Sequence, residues 1–128
     1  MDPILTAAVV LLAFEAVWNT WEFYMIYRLR KAPKAKILEA HSQIGEGSEL
    51  VAFVLAGILL YLSDINIILV GIVIAIGIYH VAGTITTKDR MSKMSMDLMR
   101  KMSPFGMAIC AIEVILSIYV ITTVIPLL

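Results

Sequence analysis

Residues 3–27 read PILTAAVVLLAFEAVWNTWEFYMIY. The stretch holds two acids and no base, at the length that carries an α-helix across a hydrocarbon layer of about 30 Å. Water is absent there, so backbone donors and acceptors must close within the segment, and a helix is the expected state. Asp2 in front of Pro3 supplies a capping oxygen followed by a proline at the first helical position. Glu15, Asn19 and Glu22 recur at i, i+4 and i+7, which places them on one helical face.

Three further apolar stretches follow: Glu46 to Leu62, Ile65 to Gly83 and Pro104 to Leu128. Ser103–Pro104 repeats the cap-plus-proline start, and Ser63–Asp64 does similar work before Ile65. A link as short as Ser63–Asp64 forces an antiparallel hairpin. Across all 128 residues 61% are apolar and 16% charged, with a mean hydropathy of +0.94. An ordinary soluble domain is about half apolar and a quarter charged. A chain this small buries only about 60–70% of its unfolded surface, so the excess must face lipid. A soluble enzyme, a nucleic-acid binder and a disordered tail are excluded on these grounds. Cys110 is the single cysteine and forms no internal disulfide. No repeat or low-complexity tract interrupts the chain. The expected fold is all-α: one polytopic, four-transmembrane-helix antiparallel bundle over residues 1–128.

The ten basic residues lie in two stretches, Arg28 to Lys36 and Lys88 to Lys101, although the net charge is zero. The positive-inside rule then puts loops 28–45 and 86–103 in the cytosol and both termini on the other side. No basic n-region precedes the first segment, so a retained helix is expected rather than a cleaved signal peptide. Trp18, Trp21, Phe23, Tyr24 and Tyr27 cluster toward the cytosolic end of that helix, suited to an aromatic belt.

Ionisable residues inside the spans carry the functional signal. Besides Glu15, Asn19 and Glu22, Glu46 and Glu49 share a face near the cytosolic start of the second span. His80 falls about one turn inside the third. Glu113 falls about two and a half turns inside the fourth, on the face of Cys110 and Ser117. By this count Glu22, Glu49, His80 and Cys110 share a depth, with Glu15 and Glu113 deeper. Each carboxylate at mid-membrane costs roughly 2.5–3.5 kcal/mol. Repetition on several helices points to inward-facing groups sharing partners or water. Three uses are open: hydrogen-bonded acids that only hold the bundle together, a cation or proton path or metal site, and a pocket for a charged small molecule. Di-metal bundles use Glu-x-x-His pairs, which are lacking here, so no metal is expected. Met91, Met94, Met96, Met99 and Met102 alternate with Lys, Ser and Arg, as in an amphipathic interfacial turn. Gly57, Gly71, Ala75 and Gly77 offer small surfaces for close helix contact.

The stretch Ala40-His41-Ser42-Gln43-Ile44-Gly45-Glu46 leads from a basic loop into an apolar helix and resembles the signature of the MAPEG family (membrane-associated proteins in eicosanoid and glutathione metabolism). Gln43 and Glu46 occupy the places of that family's Asn and Glu. Gly71-Ile72-Val73 and His80-x-x-Gly83 continue the likeness in the third span. The resemblance implies a trimer that binds glutathione, or another small thiol, between subunits at the cytosolic half. It further implies transfer of that thiol to a lipophilic electrophile or hydroperoxide. Glu46 would accept the ammonium and Gln43 a backbone amide, with His41 and Arg90 beside them. His80 and Arg100 are the catalytic candidates for activating the thiolate. The family's intrahelical arginines are absent: Glu39 precedes the Ala-His pair, the third span has Ile78, Tyr79 and His80, and no base lies within the fourth. Expected partners are the lipid bilayer, a lipophilic small molecule and further copies of the chain, with no nucleic acid. The alternative is a cation- or proton-transporting or metal-binding bundle using its intramembrane glutamates, or a small accessory subunit of a membrane complex.

Overall fold

The structure is a computed structural model. It describes residues 2–44 and 49–128, with the side chains of 40–44, 49–51, 84–88 and 91 excepted. The elements are α1 (Pro3–Leu29), α2 (Lys34–Ile44), α3 (Glu49–Leu62), α4 (Ile67–Ser92) and α5 (Met96–Val124), with a closing 3₁₀ turn at Ile125–Leu127. Among the described residues there is no strand, as the sequence led one to expect. Helices Pro3–Leu29 and Met96–Leu127 are long and apolar enough to cross a membrane, while Ala52–Leu62 and Ile67–Gly83 are shorter apolar helices.

Local chemistry explains most boundaries. Asp2 Oδ1 accepts from the amides of Ile4 (2.9 Å) and Leu5 (3.3 Å), closing the start of α1 ahead of Pro3. The α3–α4 link is a Schellman turn: Ile65 N donates to Leu60 O and Asp64 N to Tyr61 O, both at 3.2 Å. Asp64 holds the left-handed position at φ 59°, where glycine is the usual occupant.

Four boundaries differ from the sequence expectation. The cap of α4 is Asn66, whose Oδ1 accepts from Ile68 N at 2.9 Å, because Asp64 is already committed to ending α3. Helix α5 begins eight residues early. Ser95 Oγ accepts from Leu98 N at 3.3 Å, and Pro104 falls inside the helix rather than at its start. Ser103 is therefore no cap; its hydroxyl donates back to Met99 O at 3.1 Å. The loop drawn over 28–45 contains α2, and most of that drawn over 86–103 is helical. Lys34 pins α2 in place, its Nζ donating to the carbonyls of Ser92 (2.8 Å) and Met94 (2.9 Å) just beyond α4. A cation suits that end of a helix.

Packing follows a 3–4 seam on each long helix. Helix α1 packs along α5 and α3, and α3 along α4, whereas α4 and α5 touch at few places. The buried positions are Leu5, Ala8, Leu12, Glu15, Asn19 and Glu22 on α1, and Cys110, Glu113, Ser117, Val120 and Val124 on α5. Val70, Val73, Gly77 and His80 continue the same spacing on α4. Most of this interior is apolar, with Leu5, Ala8, Leu12, Phe53, Ala56, Leu60, Val70, Val73, Val120 and Val124 in one cluster, and the rest of it is polar. Gly57 and Gly77 let α3 and α4 meet. A Cβ on Gly77 would lie 2.9 Å from Phe53 Cβ and 3.0 Å from Val54 N, and one on Gly57 would run into Ile74 Cγ1. Gly71 faces open space and plays no such part.

Candidate functional site

The polar part of the seam is where charge is buried. Glu15 and Asn19 are 0% exposed, while Val10 and Val17 on the same helix are 61% and 72% exposed. A soluble helix has the opposite arrangement. Glu22, His80, Glu113, Cys110 and Ser117 are buried as well.

Two helices meet through an imidazole and a carboxyl group: His80 Nδ1 lies 3.0 Å from Glu113 Oε1 and 3.2 Å from Oε2. This pair joins α4 to α5, two helices that touch at few places. The sequence count placed His80 near the cytosolic end and Glu113 deeper. That is corrected because α4 runs on to Ser92, twelve residues past His80, or about 18 Å of helix. The two groups therefore share a level.

Asn19 Nδ2 donates to Glu15 O (2.9 Å) and to Glu15 Oε2 (3.1 Å), one turn of α1 fixing amide against acid. Glu22 accepts from Trp18 Nε1 at 2.7 Å and from the Cys110 thiol at 3.6 Å. Ser117 donates to Glu113 O at 2.9 Å. The His80 ring lies within coulombic reach of Glu113, Glu22 and Glu15 together. Three buried atoms in this group have no hydrogen-bond partner: Glu15 Oε1, Asn19 Oδ1 and His80 Nε2. Unsatisfied buried polar atoms are uncommon, and each calls for an explanation.

The structure thus brings together Glu15, Asn19, Glu22, His80 and Glu113 from the intramembrane set. Glu46 lies outside the described residues, as do the side chains of His41, Gln43 and Glu49. Arg90 and Arg100 are exposed toward the ends of their helices, apart from the buried centre. Trp18 had a place only in the aromatic belt, yet its indole N–H is turned onto Glu22 while its ring packs between Phe14 and Trp21. The i, i+4 spacing of Trp18 and Glu22 was the available signal. Cys110 is a buried core residue. Of the methionine stripe, Met99 is buried and Met102 exposed, as on an amphipathic helix. Among the described residues no three His, Cys, Asp or Glu side chains are grouped to hold a metal ion.

The fold and this centre define a helical chain with an apolar outer surface, a partly charged interior and two helices able to cross a membrane. No protein-family model matches the chain, and no curated protein or solved structure matches it.

Proposed function

We propose that the chain is a four-span membrane bundle that binds a positively charged solute, a proton included, at the Glu15–Asn19–Glu22–His80–Glu113 centre and passes it across the bilayer. The observation that carries this reading is the inverted helix α1, with carboxyl groups fully buried and valines outside. Intramembrane acids face a bundle interior or a water-filled cavity and mark ion or proton pathways. The basic ends of α1, α4 and α5 lie in the cytosol, and both termini on the far side. Lys34, joining the first basic stretch to the carbonyls beside the second, supports a common cytosolic end. Toward the termini the centre is bounded by the apolar cluster that includes Leu12, Leu60, Val73 and Val120. Solute must pass this cluster, so transport proceeds by rearrangement of the packed helices and not through a standing pore.

The test is flux in liposomes carrying the purified chain and a trapped pH- or cation-sensitive dye. Wild type dissipates an imposed gradient. Glu15→Gln and Glu113→Gln reduce the rate by about tenfold or more, as removal of one charge from a desolvated site implies. Wild-type rates no faster than those of empty liposomes overturn the proposal. A rise in thermal midpoint with glutathione, without flux, favours thiol chemistry at Gln43 and Glu46 instead.

A further inference from the structure

The three partnerless atoms say more about the solute than its sign. We infer, resting on the cation-binding reading above, that the centre seats a small N–H cation, an ammonium or primary alkylammonium group, received by Glu15 Oε1 and Asn19 Oδ1.

The Asn19 amide uses its nitrogen twice on Glu15, once on the backbone carbonyl and once on Oε2. That leaves over one oxygen on each group, one helical turn apart in sequence and both buried. His80 keeps an unpartnered atom as well. Its Nδ1 is committed to Glu113, and Nε2 is left without a partner. Two orphan oxygens on side chains already bonded to each other form a seat for a group with several donors, and filling it removes the penalty of leaving them dry.

Charge complementarity fixes the sign. Three carboxyl groups, those of Glu15, Glu22 and Glu113, are buried with one imidazole, that of His80, and the free amide oxygen of Asn19 offers an anion no donor. Hard metal cations need six or more oxygen ligands in a shell. Glu15 and Asn19 offer two, and no metal-holding group occurs among the described residues. A quaternary ammonium carries the charge but no N–H, so it leaves both oxygens unsatisfied. A primary ammonium with three donors satisfies both oxygens and has one donor to spare.

The probes are ammonium chloride, methylammonium chloride, tetramethylammonium chloride, sodium chloride and potassium chloride. They are added at equal ionic strength and pH to the full chain in phosphatidylcholine nanodiscs. The thermal midpoint and the emission of Trp18, seated on Glu22, are followed together. Ammonium and methylammonium are expected to raise the midpoint by about twice the sodium shift or more. Tetramethylammonium and potassium should match sodium, and Glu15→Gln and Asn19→Ala should remove the excess. Asn19→Ala exchanges one neutral residue for another, so it carries the comparison if Glu15→Gln does not fold. Equal shifts from all five salts overturn the inference, as does an ammonium excess that survives both substitutions. Nanodiscs containing phosphatidylethanolamine separate two sources of the same group. If the lipid headgroup is the occupant, they show the raised midpoint before any salt is added. The two proposals fail separately: an ammonium shift without flux removes transport alone, and flux without an ammonium shift removes the ligand class alone.

Discussion

At the scale of single residues, His80 and Glu113 make the sharpest energetic claim. Breaking a buried ionisable pair by removing one partner costs about 3–5 kcal/mol, whereas replacing both with apolar groups is often near neutral. His80→Leu should therefore lower unfolding stability by about 3 kcal/mol or more, and Glu113→Leu added to it should restore most of the loss. Denaturant titration in mixed micelles measures both, and simple additivity of the two losses refutes the pairing. Asp64 is a milder case. It occupies the left-handed position of the Schellman turn, where a side chain is strained. Asp64→Gly is expected to stabilise the hairpin by about 0.5–1 kcal/mol, and Asp64→Val to weaken it, as read from the midpoints of the same titration. Some of this detail was visible beforehand. The spacing of Glu15, Asn19 and Glu22 announced a shared face, and Asp2–Pro3 announced a helix start. The Asn66 cap was hidden because Asp64, two residues earlier, offers the same chemistry.

Among the elements, the α3–α4 contact depends on glycine at two places. At Gly77 an added Cβ meets the Phe53 Cβ and the Val54 backbone, neither of which yields. At Gly57 it meets Cγ1 of Ile74, an inner atom of a β-branched side chain that a helix holds in one χ1 rotamer. Gly77→Ala and Gly57→Ala should thus each lower the thermal midpoint markedly, by the equivalent of about 1–3 kcal/mol. An unchanged midpoint at either site would show that the helices separate rather than hold their register. The sequence singled out both residues, together with Gly71 and Ala75. It offered no means of ranking them, because that depends on what stands opposite. The same limit applies to helix ends. Pro104 favours a first-turn position, but the Ser95 cap and the helix-forming run Met96–Met102 start α5 earlier. The helix α2 escaped detection because Pro33 and the bases Arg28, Arg30, Lys31, Lys34 and Lys36, before and within its start, look like loop. Its anchor, Lys34 on the Ser92 and Met94 carbonyls, is a contact between residues nearly sixty positions apart.

For the whole molecule, orientation is the claim open to direct measurement. In a Cys110→Ala background, a single cysteine at Asp64 should react with a membrane-impermeant maleimide on intact cells, and one at Lys93 only after permeabilisation. The reverse pattern would invert the topology and with it the proposed cytosolic end of the bundle. The sequence by itself determined that the chain is helical, that its surplus apolar surface needs a lipid-like environment, that its bases are confined to two stretches, and which face of the first helix is charged. Those properties follow from composition and local period, because a helix fixes its own faces through bonds only four residues long. Tertiary structure alone decided that His80 joins Glu113, that Glu22 meets Cys110, and that Glu15, Asn19 and His80 each keep an unused atom. It also decided that an apolar cluster bounds one side of them. Such matches depend on the register and separation of helices far apart in the chain, and a shift of one turn, about 5.4 Å, would unmake every one of them.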